Sequence, residues 1–448
     1  MIAAPKFARL RRAIAATPDY AVFGKVAQVV GLVIESIGPD GRIGDLCTIQ
    51  TGSNPPTSQH PNVLLPAEIV GFRGDRVLLM PLGELSGIGP GSLVSNTGAC
   101  LQVPTGPGLL GRTVDGLGSP IDGLGSIESS RSYPILASPP NALQRRMIKR
   151  PLATGVRAID GILTLGEGQR MGIFAGSGVG KSTLLGMIAR NCEADVNVIA
   201  LVGERGREVK EFIENDLGPE GLARSVIVCA TSDQPALIRI KAALSATAIA
   251  ESFRDEGKNV LLMMDSVTRF AMAQREVGLA VGEPPSTKGY TPSVFALLPR
   301  LMERAGNAER GSITALYTIL VEGDDTNEPI ADTSRSILDG HIVLNRALTS
   351  RGHYPPIDVL QSLSRTMPFV VNLSQIEFAR KIREWMAAYS DVEDLVSIGA
   401  YKPGTKPIAD RAIAKWPAIN EFLRQDKAEG TSMSECIERM KELANEEV

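Results

Sequence analysis

Residues 175–182 read Ala-Gly-Ser-Gly-Val-Gly-Lys-Ser, a set of residue types suited to holding a polyphosphate. Gly176, Gly178 and Gly180 let the backbone turn its N–H groups inward around an anion. The helix that follows offers the positive end of its dipole. Lys181 reaches the β- and γ-phosphates, and the Ser182 hydroxyl ligates Mg2+. Ser177, Val179 and Thr183 complete the run that contacts the nucleotide. The usual pattern opens on glycine, and here Ala175 stands in that place. A chance glycine-rich turn would lack the apolar strand before it, the helix after it and the complete Gly-Lys-Ser.

Two further groups belong beside this loop. The apolar run NVLLMMD, residues 259–265, ends in Asp265. An acid at the carboxyl end of a neighbouring strand holds Mg2+ directly or through water. The stretch LVGERGREVKEF, residues 201–212, turns on Gly203 and then presents Glu204, Arg205, Arg207 and Glu208 in quick succession. By itself such a cluster is either a solvated turn or a site.

These groups need a scaffold. Four apolar runs, at 171–175, 197–202, 259–265 and 312–320, alternate with stretches of helical spacing. That alternation predicts a mostly parallel sheet with helices on both faces. Before it, from about residue 24 to 98, short apolar runs recur every ten to twenty residues between Gly and Asn-Pro turns, which predicts a small antiparallel barrel or sandwich. After it, from about 373, the text is helical. Ser374 with Glu377 is the expected capping box, and Phe378, Ile382, Trp385 and Tyr389 form one apolar stripe. The expected domains are residues 1–95, 96–372 and 373–448.

The 448 residues exceed what one core supports. Apolar residues make up 43% and charged residues 22%, with a formal net charge of −3, so nothing marks a general nucleic-acid binder. Five scattered cysteines form no CxxC pair, which fits a reducing compartment. No apolar run approaches the length of a membrane span. At the start, Phe7, Leu10 and Ile14 share a helix face among Lys6, Arg9, Arg11 and Arg12. That helix packs on its own domain, or docks on a partner or a membrane surface. His60, His341 and His353 lack metal-ligand spacing and are read as core or surface residues.

The phosphate loop, GERGRE, LLMMDS and PPIDVLQSLSR together resemble the catalytic subunits of rotary ATP synthases. Within that superfamily the chain is more similar to the type III secretion ATPases. FAGSGVGKS, LVGERGREVKEFIE, AMAQREVGLAVGEPPSTKGYTPSVF and EGDDTNEPIADTSRSILDGHIVL resemble the flagellar export ATPases in particular. The resemblance implies an α/β fold: a RecA-like phosphate-loop ATPase core with an N-terminal small β-barrel and a C-terminal helical domain. It implies ATP and Mg2+ as cofactors and a homohexameric ring. By matching positions, Glu204 polarises the attacking water and Arg205 lies near the γ-phosphate. Arg365, closing SLSR, reaches into the neighbouring subunit's site, and Tyr354 lies against adenine. Glu208 is assigned to structure, pairing with a nearby arginine. Asp324 and Asp325, in EGDDTNEP, either face a central stalk protein or sit in a solvated loop.

A chain that carries loop, base and finger together suits a ring of identical copies. The implied partners are a regulator or stator-like protein at the N-terminal segment, a central stalk, the export gate, chaperone–cargo complexes and, peripherally, the inner face of the bacterial membrane from the cytoplasm. Nucleic acid is not among them. Two rivals remain: the ATPase of a virulence-type secretion system, and an RNA-translocating hexamer. The barrel segment lacks the basic run and interleaved aromatics that an RNA platform needs.

Overall fold

The computed structural model describes residues 22–51, 63–129, 131–321 and 328–445. The leading helix, His60, Asp324 and Asp325 lie outside the described residues. The chain divides into two compact units, Met1–Leu101 and Gln102–Val448.

The first unit is a closed barrel. Its strands are β1 (Gly24–Val30), β2 (Val33–Ile37), β3 (Asp45–Thr51), β4 (Val63–Arg73), β5 (Arg76–Pro81) and β6 (Leu93–Cys100). They pair in the order β1-β2-β5-β4-β3-β6, and β6 returns to β1 through Gly24–Val94 and Lys25–Leu93. Alternate residues point inward, and Val26, Ile34, Cys47, Ile49, Ile69, Leu79 and Val94 form the core. Closure decides between the two expected shapes in favour of the barrel. Strand β6 runs to Cys100, past the expected boundary at 95.

The second unit is built on a nine-stranded sheet. Its main path uses β7 (Thr113–Asp115), β8 (Arg170–Ala175), β9 (Val196–Val202), β10 (Ser225–Ala230), β11 (Asn259–Asp265), β12 (Ser312–Leu320), β13 (Gly340–Leu344) and β14 (Ile357–Ser364). Their order is β14-β13-β8-β12-β11-β9-β10-β7, and Gly306–Asn307 pairs off this path. All neighbours on the path are parallel except β13 and β14. The central strands are buried on both faces, which is why they read as unbroken apolar runs. All four expected strands form. Four more, β7, β10, β13 and β14, join them.

Three long C-terminal helices, Leu373–Ser390, Pro407–Leu423 and Met433–Asn445, form the helical domain. Ile382, Trp385, Ile419, Phe422 and Met440 share one hydrophobic core with Ile159, Ile162 and the phosphate-loop helix. Phe378 and Tyr389 pack against its margin, and the Tyr389 ring stacks on Trp416 at 3.9 Å. The expected capping box is not what starts the first helix. Asn372 is the N-cap, its side chain accepting the Gln375 N–H at 2.8 Å, and Ser374 lies within the first turn. The helix begins earlier than the Ser-x-x-Glu pattern placed it, and asparagine is an equally good cap.

Candidate active site

The phosphate-loop strand β8 lies between β12 and β13, and its last residue, Ala175, pairs with Leu320 on one side and Leu344 on the other. Ala175 is therefore a buried strand residue rather than a turn residue, so the position does not require glycine. The turn comes after it. Gly178 and Gly180 have φ of 73° and 99°, which side chains rarely adopt. At Gly176 a Cβ would come within 3.2 Å of Arg346 Nη2. That arginine donates to the Ser177 carbonyl at 2.9 Å, and the Thr349 hydroxyl donates to the Val179 carbonyl at 3.3 Å. Val179 itself is buried in the core. The helix Lys181–Asn191 then starts on Gly180 with no side-chain cap, so its first N–H groups face the loop.

Three charges converge here. Lys181 Nζ pairs with Asp265 Oδ1, and lies 3.5 Å from Glu204 Oε1. Asp265 is buried at the end of β11, and Thr318 of β12 donates to the same Oδ1 at 2.8 Å. Burial works against the charge on Lys181, but Asp265 and Glu204 outweigh it and its pKa stands above the usual value. Burial also pushes the Glu204 carboxyl up to about 7; the Asp265 charge adds to this and Lys181 opposes it. Burial and the neighbouring Asp265 charge together hold Glu204 above the usual carboxylate range.

A cleft of about 280 Å³ opens over these groups, lined by the glycine loop, Lys181, Ser182, Thr183 and Glu204. The uncapped helix and the glycine cradle fit a polyphosphate. One carboxylate, Asp265, and one hydroxyl, Ser182, are hard oxygen donors of the number Mg2+ takes when water and phosphate supply the rest. Glu204 is held in place by its main chain. The Gly203 N–H donates to the Ala230 carbonyl at 2.7 Å, and the Ser232 N–H donates to the Glu204 carbonyl at 3.0 Å.

This geometry has known counterparts. The model of the ATP synthase alpha/beta family, nucleotide-binding domain, matches residues 155–364. The beta-barrel domain of the same family matches residues 26–98, and the T3SS EscN ATPase C-terminal domain matches residues 371–442. The flagellum-specific ATP synthase of Bacillus subtilis is 55% identical over 435 residues, covering 96% of this chain and 97% of that one. The chain belongs to the ATP synthase alpha/beta family, among its flagellar and type III secretion ATPases. The type 3 secretion system ATPase of Xanthomonas euvesicatoria is 53% identical over 403 residues, 90% of each chain. The assembled ATPase EscN from the enteropathogenic E. coli type III secretion system superposes with a TM-score of 0.87 at 46% identity, over 94% of this chain and all of that one. The same ATPase, solved in complex with its central stalk EscO, gives 0.85 at 45% identity over the same shares.

In this secretion ATPase the remaining expected residues are spread out. Arg205 lines the cleft but is largely exposed, and its Nη1 lies 3.0 Å from Glu208 Oε1. Glu208 thus has the arginine partner expected of it. Tyr354 is 47% exposed, and its carbonyl accepts the Gln425 N–H at 2.8 Å. Arg365 is exposed at the end of β14 and does not line its own chain's cleft. His353 is buried and His341 half-buried, and burial lowers the pKa of each imidazole.

Three residues of this ATPase site escape a reading by motif. Arg346 and Thr349 reach the loop from a helix far along the chain. Arg269 lines the cleft, and its Nε is buried with no hydrogen-bond partner among the described residues. A Cβ on Gly203, whose φ is 72°, would come within 2.9 Å of Arg269 Cβ. The available signal was positional: Arg269 lies one turn beyond Asp265, at the start of a helix capped by Ser266.

Proposed function

We propose that the chain is an Mg-ATP-hydrolysing motor that energises flagellar type III protein export, working as a homohexameric ring in which Arg365 of each copy completes the neighbour's site. The observation that carries this reading is the convergence of Lys181, Asp265 and Glu204 at the mouth of the phosphate loop, in a family of export ATPases.

The loop amides, Lys181 and the Lys181–Asn191 helix bind the triphosphate. Ser182 and Asp265 would hold Mg2+, which would supply neutralisation of the phosphate charge. Glu204 orients a water against the γ-phosphorus and accepts its proton. The new P–O bond forms as the bond to the β,γ-bridging oxygen breaks, and ADP leaves with the displaced charge. Arg205 and Arg269 lie on the wall where charge on the γ-phosphoryl oxygens develops. An arginine supplied from a second copy contributes ~10³–10⁵ in rate in comparable sites, and Arg365, exposed and outside its own cleft, is the residue for that role. Tyr354 is proposed to flank the adenine.

The stalk partner follows from the relative solved with its central stalk. A stator-like regulator at the N-terminal segment, the export gate and chaperone–cargo complexes complete the proposed machine, at the cytoplasmic face of the membrane. Among the described residues no helix is long and apolar enough to cross a membrane. A second reading, the ATPase of a virulence-type system, is favoured by the 53% identity to such an ATPase. Co-purification with flagellar rather than injectisome components separates the two.

The shared-site mechanism is tested by mixing Lys181→Ala and Arg365→Ala chains, each inactive alone. In mixed rings some interfaces pair an intact loop with an intact finger, so partial turnover returns. Mixed rings that assemble without recovering turnover overturn the trans assignment.

A further inference from the structure

Arg365 is exposed, but the residues on either side of it are not. Ser364 and Thr366 are 7% and 9% exposed, and both hydroxyls meet one side chain, Gln169, which is fully buried. Gln169 Nε2 donates to Ser364 Oγ at 3.1 Å and to the Asp339 carbonyl at 3.3 Å. Gln169 Oε1 accepts the Thr366 hydroxyl at 2.5 Å and the Gly166 N–H at 2.9 Å. The amide orientation is dictated by its partners. Ser364 Oγ gives its proton to the Thr164 carbonyl at 2.9 Å, so it can only accept from Gln169. The Gly166 N–H can only donate, so the amide oxygen faces it. All four hydrogen-bonding positions of the amide are filled.

The same network holds the Arg365 main chain. The Arg365 N–H donates to the Asp339 carbonyl at 3.0 Å, the carbonyl that Gln169 also contacts. The Asp339 carboxylate is in turn held by Arg170, through its N–H at 3.0 Å and its Nε and Nη2 at 3.1 Å each. Gln169 immediately precedes β8 and Arg170 begins it; the far end of that strand leads into the glycine loop. At about 3.3 Å per residue that strand spans roughly 20 Å. One buried rod therefore carries the phosphate loop at one end and the seat of Arg365 at the other.

We infer that Gln169 is a positioning residue for Arg365, fixing the backbone from which the finger projects and registering it against the same chain's phosphate loop. The inference rests on the proposed role of Arg365 as a finger given to the neighbouring copy. Misplacing a catalytic group by about 1 Å costs on the order of 10²-fold, so the effect falls on turnover and not on nucleotide affinity.

The test uses Gln169→Met, which keeps the length and removes the hydrogen bonds of the side-chain amide, in the full-length assembled protein. The expected result is a kcat about 10- to 100-fold lower, with nucleotide affinity within about twofold of the parent. Mixing Gln169→Met with Lys181→Ala restores turnover, because the lysine variant supplies a sound finger. Mixing Gln169→Met with Arg365→Ala does not. Thr366→Val reproduces the loss and Thr366→Ser keeps most of the activity, which answers the question even if Gln169→Met folds poorly. Parental kcat in both Gln169→Met and Thr366→Val overturns the inference. So does failure of the Gln169→Met and Lys181→Ala mixture where Arg365→Ala and Lys181→Ala recover. If that last pair does not recover, it is the shared-site reading that fails, and the inference falls with it.

Discussion

Replacing Glu204 by glutamine should make the protein slower and more stable at once, and the second effect can be sized. The Glu204 carboxyl is raised from 4.5 to about 7, first by burial and then by the Asp265 charge. That displacement is worth about 3 kcal/mol between the protonated and ionised forms. The side chain is only 13% exposed, so solvent screens little of it. Because the folded value lies above the unfolded one, the fold is favoured by proton uptake. This contribution is whole below about 4.5 and is lost as the pH rises through about 7. Glu204→Gln is uncharged at every pH. It should match the parent near pH 4.5–5 and exceed it by about 2–3 kcal/mol at pH 8. Both tryptophans of the chain, Trp385 and Trp416, lie in the unit that holds Glu204. Urea unfolding followed by tryptophan fluorescence, without nucleotide or Mg2+, therefore reports on the right unit. Turnover should fall ~10²–10⁴-fold. A variant no more stable than the parent at pH 8, or equally stabilised at pH 5 and pH 8, would refute the account of a charge held at a cost to the fold.

The pH profile of kcat/KM should show an acid limb centred at about 7, rising with pH because the base works ionised. Glu208→Gln should move that limb down, since Glu208 helps raise Glu204; a limb that stays in place argues against their coupling. Arg304 and Glu251 are 3% and 1% exposed and pair through two hydrogen bonds, at 3.0 and 2.6 Å. Arg304→Ala should cost about 3–5 kcal/mol in urea unfolding, and the double change Glu251→Leu with Arg304→Met should recover most of it. Gly203→Ala imposes a Cβ at a φ of 72° and 2.9 Å from Arg269 Cβ. It should lower stability by about 1–2 kcal/mol and displace Glu204, reducing kcat while nucleotide binding, measured by fluorescence titration, persists.

Contiguous features were legible in the sequence. The phosphate loop is eight adjacent residues whose chemistry depends on local backbone freedom, and the four central strands announce themselves as apolar because both faces are covered. Features that depend on distant pairing were not. SVIVCA, now β10, is a six-residue apolar run that periodicity alone does not separate from buried helix. Barrel closure rests on β6 meeting β1, some seventy residues apart in sequence, and no local pattern records it. Arg346 and Thr349 secure the phosphate loop from about 170 residues away. Arg269 carries no motif, and its place in the cleft follows from the turn at Gly203. The helix starts at Asn372 and not at Ser374 for a smaller reason: two good caps lie two residues apart, and the tertiary structure uses the first.

The pairing of Lys181 with Asp265 and Glu204 bears on how a nucleotide arrives. Among the described residues that line the cleft or pair within it, Lys181, Arg205 and Arg269 face Glu204, Glu208 and Asp265. Near neutral pH these charges nearly offset one another, so they project little field beyond a Debye length of about 8 Å. A polyanion drifting past is neither drawn in nor turned away at long range. Capture is decided on contact, by the inward amides of the glycine loop and the open start of its helix. Such an entrance recognises an anion by its fit to the loop rather than by attraction from a distance.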